Sequence, residues 1–403
     1  MGVLVLHFID RQIVAILLPD ITRDLSLSDT QAGVLTGIGF AVLYSALGVP
    51  IARLADRSDR VRIMSVAAVV WSGMTAVTGL VAGFWTMLAA RMGVAAGEAG
   101  GIPPLHSLVA DLYPEERRAR AFSVVQLGGP VGILLAFFVF GALAEQFHWR
   151  ALFFVTGAVG VAFALVFWRL CPEPRRDGAA VGHGPAALPA SQALASLLRA
   201  PAYLHLVAGT ALAGFALYAL VTWMPSFLGR SFGMERAQVG LVLGLSFGGA
   251  GALGVLVFGA VADAAFRRHA GAHALVPALM VLAAAPLAAL AFLARTPTGA
   301  IGLLLLPIVM ISGWQAPSIA AVQKVARPET RALAAALLML VLNLVGLGLG
   351  PLAVGVLSDA LADAHGADSL RYALLVVVPA LVWASAHWLV AARHLGRMGR
   401  EAL

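Results

Sequence analysis

The chain has 403 residues, of which 61% are hydrophobic and only 12% charged, with a formal net charge of +7. A soluble chain carries about 45–50% apolar and about 25% charged residues, so this composition excludes a water-soluble domain and implies a polytopic membrane protein. The basic excess follows the loops and is therefore a topology signal rather than a nucleic-acid one. The single cysteine, Cys171, excludes an intramolecular disulfide and a multi-cysteine metal site.

Apolar runs predict spans at about 2–19, 31–52, 63–83, 85–110, 120–143 and 150–170. A polar link rich in Pro, Gly and Ala follows over about 171–200. Six more spans are predicted near 202–225, 237–261, 273–294, 299–322, 332–357 and 371–392. The first run has no basic n-region and holds Asp10-Arg11 in its middle, so it is expected to be a span rather than a cleaved signal peptide. The expectation is an all-α membrane protein with twelve transmembrane helices. Residues 1–170 would form one six-helix bundle, 171–200 a cytoplasmic linker and 201–403 a second bundle.

With both termini cytoplasmic, nineteen of the 27 basic residues fall in cytoplasmic segments, Arg53, Arg57, Arg60 and Arg62 among them. Six fall in outer loops, including Arg230 and Arg236, and Arg11 and Arg91 lie inside spans. The positive-inside rule therefore predicts both ends inside, as an even number of spans requires. Lys324 is the only lysine, which fits a GC-rich bacterial genome and a cell (inner) membrane location.

The two halves repeat. Leu54-Ala55-Asp56-Arg57 follows span 2, and Val261-Ala262-Asp263 with Arg267-Arg268 follows span 8. Pro114-Glu115-Glu116-Arg117 precedes span 5, and Pro328-Glu329-Thr330-Arg331 precedes span 11. Gly128-Gly129-Pro130 is matched by Gly350-Pro351. Landmarks in the same order at nearly constant offset predict two parallel six-helix halves, an arrangement that resembles the major facilitator transporters. Asp56 with Arg57, and Asp263 with Arg267, resemble that superfamily's loop motif. A carboxylate at a helix end facing arginines can latch one conformation and release in another. Ala52 and Asp59 stand where that motif commonly has glycine. The Gly-Pro elements bend and pack helices, because proline frees a carbonyl and glycine admits a close neighbour.

Four ionisable residues sit inside spans: Asp10 and Arg11 in span 1, Arg91 and Glu98 in span 4. Each costs at least about 2.5–3.5 kcal/mol to insert, so they are read as a site in a lined cavity. Arg91 and Glu98 are separated by two helical turns and share a face, roughly 10 Å apart along the axis. Asp10 and Arg11 fall between them in depth and, as sequence neighbours, point about 100° apart. The expected pairs are Arg11 with Glu98 and Asp10 with Arg91. A carboxylate that gains and loses its arginine as helices rock changes protonation, which couples proton movement to the conformational cycle.

Tyr44, Gln126, Tyr218, Gln315 and Asn343 are polar groups in apolar spans and candidates for a substrate path. His106, His205 and His387 read as packed or interfacial, and Trp149 and Trp223 as aromatic anchors at the outer boundary. No metal site, ATP-binding loop or nucleophile–base spacing stands out, so no enzyme and no cofactor is expected.

Several stretches together resemble the spinster family of major facilitator transporters, in its bacterial branch. They are Asp10-Arg11-Gln12, the run from Tyr44 to Pro50 leading into Ala55-Asp56-Arg57-Ser58, and Trp71-Ser72-Gly73-Met74-Thr75. Gly97-Glu98-Ala99-Gly100-Gly101-Ile102-Pro103-Pro104 is the most specific, with Trp223-Met224-Pro225-Ser226-Phe227-Leu228 agreeing in the second half. The resemblance implies proton-coupled movement of an amphipathic, lipid-like substrate of the lysophospholipid or sphingolipid type. Its functional acid and arginine in span 1 match Asp10 and Arg11, and those in span 4 match Arg91 and Glu98. Arg11 and Glu98 would also meet the substrate. A related reading is the anion:cation symporter family, which would imply small organic anions such as sugar acids. Expected partners are protons, that substrate and membrane lipids, with the chain working as a monomer.

Overall fold

The computed structural model describes residues 1–56, 58–174 and 189–401. Every regular element among them is helical. In chain order the first half holds α1 (Gly2–Asp24), α2 (Asp29–Thr36), α3 (Ile38–Asp56), α4 (Arg60–Thr78), α5 (Phe84–Glu98), α6 (Ile102–Leu112), α7 (Glu115–Gln126), α8 (Gly128–Leu143) and α9 (Trp149–Leu170). The short α10 (Ala190–Leu198) lies at the end of the expected linker. The second half holds α11 (Pro201–Phe232), α12 (Arg236–Leu243), α13 (Gly251–Phe266), α14 (Ala272–Leu293), α15 (Pro297–Ser312), α16 (Gln315–Val325), α17 (Arg331–Val341), α18 (Gly350–His365), α19 (Ser369–Ala373) and α20 (Val377–Glu401).

Ten helical stretches among the described residues are long and apolar enough to cross a membrane. The last, Pro328–Arg397, runs over 70 residues and holds two crossings, separated near Gly366–Asp368. Span 4 is not among the ten because it is broken into α5 and α6. With span 4 and both crossings of the last stretch counted, the helices make the twelve expected spans.

The breaks repeat between the halves. Span 2 turns at Gly37, and span 8 has a π-helical stretch at Gly244–Ala250. Span 4 breaks after Glu98, and span 10 after Ser312. Span 5 breaks at Leu127, and span 11 is π-helical over Leu342–Leu349. The cause in span 4 is chemical. Pro103 and Pro104 have no N–H to offer the carbonyls four residues back, so the ladder cannot continue through Ala99 and Gly100. Irregular backbone inside a membrane is tolerated where protein surrounds it, and this stretch is buried.

Two compact units emerge. The first comprises Met1–Val181 with Thr222–Gly248, the second Gly182–Val221 with Gly249–Leu403. Within the first unit α1 packs on α8 and α4 on α9 and α5. Gly97 sets one of these approaches: a Cβ there would lie 2.6 Å from the Trp71 backbone nitrogen. Gly132 sets another, since its Cβ would lie 2.6 Å from the Val5 carbonyl oxygen. In the second unit, Tyr203 Oη donates to the Ala334 carbonyl at 2.9 Å. The two tryptophans expected as boundary anchors are instead interior: Trp223 is fully buried, and Trp149 is buried with its indole N–H donating to Asp24 at 3.1 Å.

Candidate functional site

The first unit gathers the intramembrane charges into one cluster built by four spans. α1 brings Asp10 and Arg11, α3 brings Phe40 and Tyr44, α4 brings Trp71 and Thr75, and α5 brings Arg91 and Glu98. Asp10, Arg91 and Glu98 are at most 3% exposed, and the Arg11 side chain only 12%. These charges therefore face protein rather than lipid, as their insertion cost demands.

Arg11 Nε donates to Glu98 Oε2 at 2.9 Å, joining spans 1 and 4. The Arg11 guanidinium also lies over the Tyr44 ring, 4.7 Å from its centroid, and 4.9 Å from that of Phe40. Phe40 and Tyr44 stack at 5.7 Å, forming an aromatic floor beneath the cation. Glu98 is the last residue of α5, where the helix dipole is negative. A carboxylate there is disfavoured unless a cation answers it, and Arg11 does. The other Glu98 oxygen, Oε1, is buried with no hydrogen-bond partner among the described residues. A buried unsatisfied acceptor at a charge cluster marks a place prepared for a proton or a ligand.

The expected contact between Asp10 and Arg91 is not made. Asp10 Oδ1 instead accepts from Thr75 Oγ1 at 2.9 Å, and Arg91 lies over Phe40 at 5.2 Å. The reason is the angle between neighbours on α1. Arg11 takes the direction toward α3 and α5, which turns Asp10 toward α4.

One member of the cluster escaped the sequence reading. His7 is 1% exposed, and its Nδ1 lies 3.3 Å from the same Glu98 oxygen that Arg11 holds. The signal was present in its spacing: His7 sits one turn before Asp10 and Arg11, on their face of the helix. The rings of Tyr44 and Trp71 approach it at 6.3 and 6.4 Å.

Of the other candidates, Tyr44 joins the cluster, while Gln126 is exposed at the end of α7. Tyr218, Gln315 and Asn343 belong to the second unit; Tyr218 and Asn343 are half-buried and Gln315 is exposed. Arg57 and the side chain of Asp56 lie outside the described residues. Asp263 is exposed and meets His273 Nε2 at 2.9 Å, and Arg267 makes no ion pair among the described residues.

Two further charge assemblies were not foreseen. Arg60 is fully buried at the start of α4, donating to Glu173 Oε1 at 2.7 Å, Asp111 Oδ2 at 2.6 Å and Ser107 Oγ at 2.9 Å. At the opposite end of the spans, Arg230 forms a two-pronged pair with Asp29, both contacts at 2.6 Å. Arg236 Nε donates to Asp20 at 2.6 Å. Both contacts tie the segment 222–248 to residues more than 200 positions earlier.

Comparison with known proteins places this geometry. The family model described as Major Facilitator Superfamily matches residues 1–351. A protein named MFS-type efflux pump from Mycolicibacterium smegmatis is 35% identical, with 98% of this chain and 92% of that protein covered. Protein spinster homolog 1 of Xenopus laevis is 28% identical over 92% of this chain and 75% of its own length. Among solved structures, a bacterial homolog of the human lysosomal transporter Spinster, inward-facing and unoccupied, superposes with a TM-score of 0.87 at 28% identity, covering 97% of this chain and 95% of that one. The chain belongs to the Major Facilitator Superfamily, as a transporter of the spinster type.

Proposed function

We propose that this transporter is proton-coupled and moves an amphipathic, lipid-like substrate of the lysophospholipid or sphingolipid type by alternating access. The observation that carries the reading is the Arg11–Glu98 contact, buried and shared with His7. With both carboxylates ionised, Arg11 and Arg91 balance Asp10 and Glu98. Adding a proton to Glu98 releases Arg11 and leaves the cluster one charge positive. An anionic headgroup can then replace the carboxylate on Arg11. The aromatic pair Phe40 and Tyr44 beside it offers apolar surface to a substrate's stem. Proton binding at Glu98 thus frees the arginine that the headgroup takes, which links proton and substrate at one ion pair.

We take both termini as cytoplasmic, on the distribution of basic residues. The Asp29–Arg230 and Asp20–Arg236 pairs then lie at the outer side, within the first compact unit. We infer that opening to the outside parts them.

Transport of labelled lysophospholipids into proteoliposomes under an imposed pH gradient tests the proposal. Gradient-dependent uptake is the expected result. Uptake of sugar acids but not of lysolipids would move the assignment to small organic anions.

A further inference from the structure

Away from the charge cluster, the first unit carries two apolar grooves, one on each side of α4. The larger, about 500 Å³, runs between α3, α4 and α5, with Ile51, Ala67, Gly97 and Gly100 among its walls. The smaller, about 290 Å³, runs between α4 and α9, bounded by Val69, Leu165 and Trp168. Arg62, Val66 and Val70 line both grooves. Their spacing of four residues makes them one ridge along α4, about 12 Å long. Val66 and Val70 are 57% and 44% exposed. On a membrane span, such a face meets acyl chains.

The polar end of the ridge is Arg62. It is exposed, and its guanidinium makes no hydrogen bond or ion pair among the described residues. Its backbone N–H donates to Asp59 Oδ1 at 2.8 Å, the cap of α4. Ser58 and Asp59 line the mouth of the larger groove beside it. Trp168, 52% exposed, stands at the end of the smaller groove that Arg62 also lines. An arginine and a tryptophan together at the end of apolar grooves are the residues that settle at the headgroup level of a bilayer.

We propose that a two-chain glycerophospholipid straddles α4 at this place, its phosphate on Arg62 and one acyl chain in each groove. A guanidinium presents a planar fork of donors that matches phosphate, which no apolar neighbour here can do. Two grooves that diverge from one cation match two chains that diverge from one headgroup. A single-chain lipid would leave one groove empty. The Asp59 carboxylate is engaged with the helix start and faces the mouth, so Arg62 is the phosphate ligand and Ser58 the adjacent hydroxyl. The larger groove is floored by Gly97 and Gly100, which flank Glu98 in sequence. A lipid seated there presses on the back of the wall that carries the coupling carboxylate. The site does not depend on what the transporter carries.

The test is thermal stabilisation of the purified full-length protein in detergent by three added lipids with matched chains. Phosphatidylglycerol has the phosphate and two chains, diacylglycerol lacks the phosphate, and lysophosphatidylglycerol lacks one chain. Each is titrated against the wild type and against Arg62→Gln, whose exposed position leaves the fold intact; the melting temperature without lipid checks this. Subtracting the two proteins isolates binding at Arg62 from binding at the charge cluster. Phosphatidylglycerol is expected to bind the wild type at least tenfold more tightly than Arg62→Gln, with an Arg62-dependent effect at least fivefold weaker for either of the other lipids. Equal phosphatidylglycerol binding by the two proteins overturns the proposal. So does an Arg62-dependent effect of lysophosphatidylglycerol equal to that of phosphatidylglycerol.

Discussion

Arg11 and Glu98 meet at 2.9 Å although 87 residues separate them, and His7 comes within 3.3 Å of the same carboxylate oxygen. One buried oxygen thus has two competing cationic or proton-bearing neighbours from the same helix. A carboxylate in that position exchanges partners with small helix movements. The contact is therefore poorly explained as a brace, since buried ion pairs add little stability on average.

His7 stands next to the carboxylate that is proposed to take the proton. His7→Asn keeps a polar side chain of similar reach but cannot be protonated. The pH profile of lysolipid uptake is expected to change shape, while the melting temperature stays within a few degrees of wild type. A profile that superposes on that of the wild type would remove His7 from the coupling scheme.

Asp10 is held by the Thr75 hydroxyl at 2.9 Å. Thr75→Val is nearly isosteric and deletes that donor. The expected loss is about 1–3 kcal/mol of stability, the cost of a buried acceptor left unmatched. Chemical denaturation in mixed micelles measures it, and wild-type stability in the variant would show that Asp10 has another ligand.

The Arg60 assembly gives a larger effect. Arg60→Gln leaves Glu173 and Asp111 without their shared guanidinium at a fully buried position. Breaking such a buried pair costs about 3–5 kcal/mol, so a clear fall in melting temperature is expected. Adding Glu173→Gln to the first change should recover part of it.

The seam at the other end is a conformational device on the proposed reading. Arg230→Ala removes both contacts to Asp29 and should raise the fraction of molecules open on that side. Labelling of a cysteine introduced nearby, in a background with Cys171 replaced, reports this. The exchange Asp29→Arg with Arg230→Asp should return labelling toward wild type.

Much of this was legible in the sequence because membrane solvation is a severe filter. Spans and repeat follow from apolar length and from the proline and glycine landmarks, as do the bends of spans 5 and 11, whereas the breaks in spans 2, 4, 8 and 10 were not anticipated. Asp10, Arg11, Arg91 and Glu98 stand out because charges at that depth are costly. Their depths put Arg11 within reach of Glu98, and the contact is there. The same argument failed for Asp10 and Arg91, because depth says nothing of which neighbour a side chain faces. His7 was passed over since a lone histidine is not costly enough to stand out. Arg60, Arg230 and Arg236 read as topological loop charges. Nothing local distinguishes a loop arginine that is buried or paired from one that is solvated, when its partners are between 51 and 216 positions away, as for Arg60 and Arg236.

The central claim is that Glu98 takes the proton when Arg11 leaves it. Glu98→Gln keeps the size and hydrogen-bonding capacity of the side chain and removes its charge. In proteoliposomes with an imposed pH gradient, this variant is expected to lose gradient-driven lysolipid accumulation while retaining binding and exchange at equal pH. Gradient-driven accumulation at the wild-type rate would contradict the account.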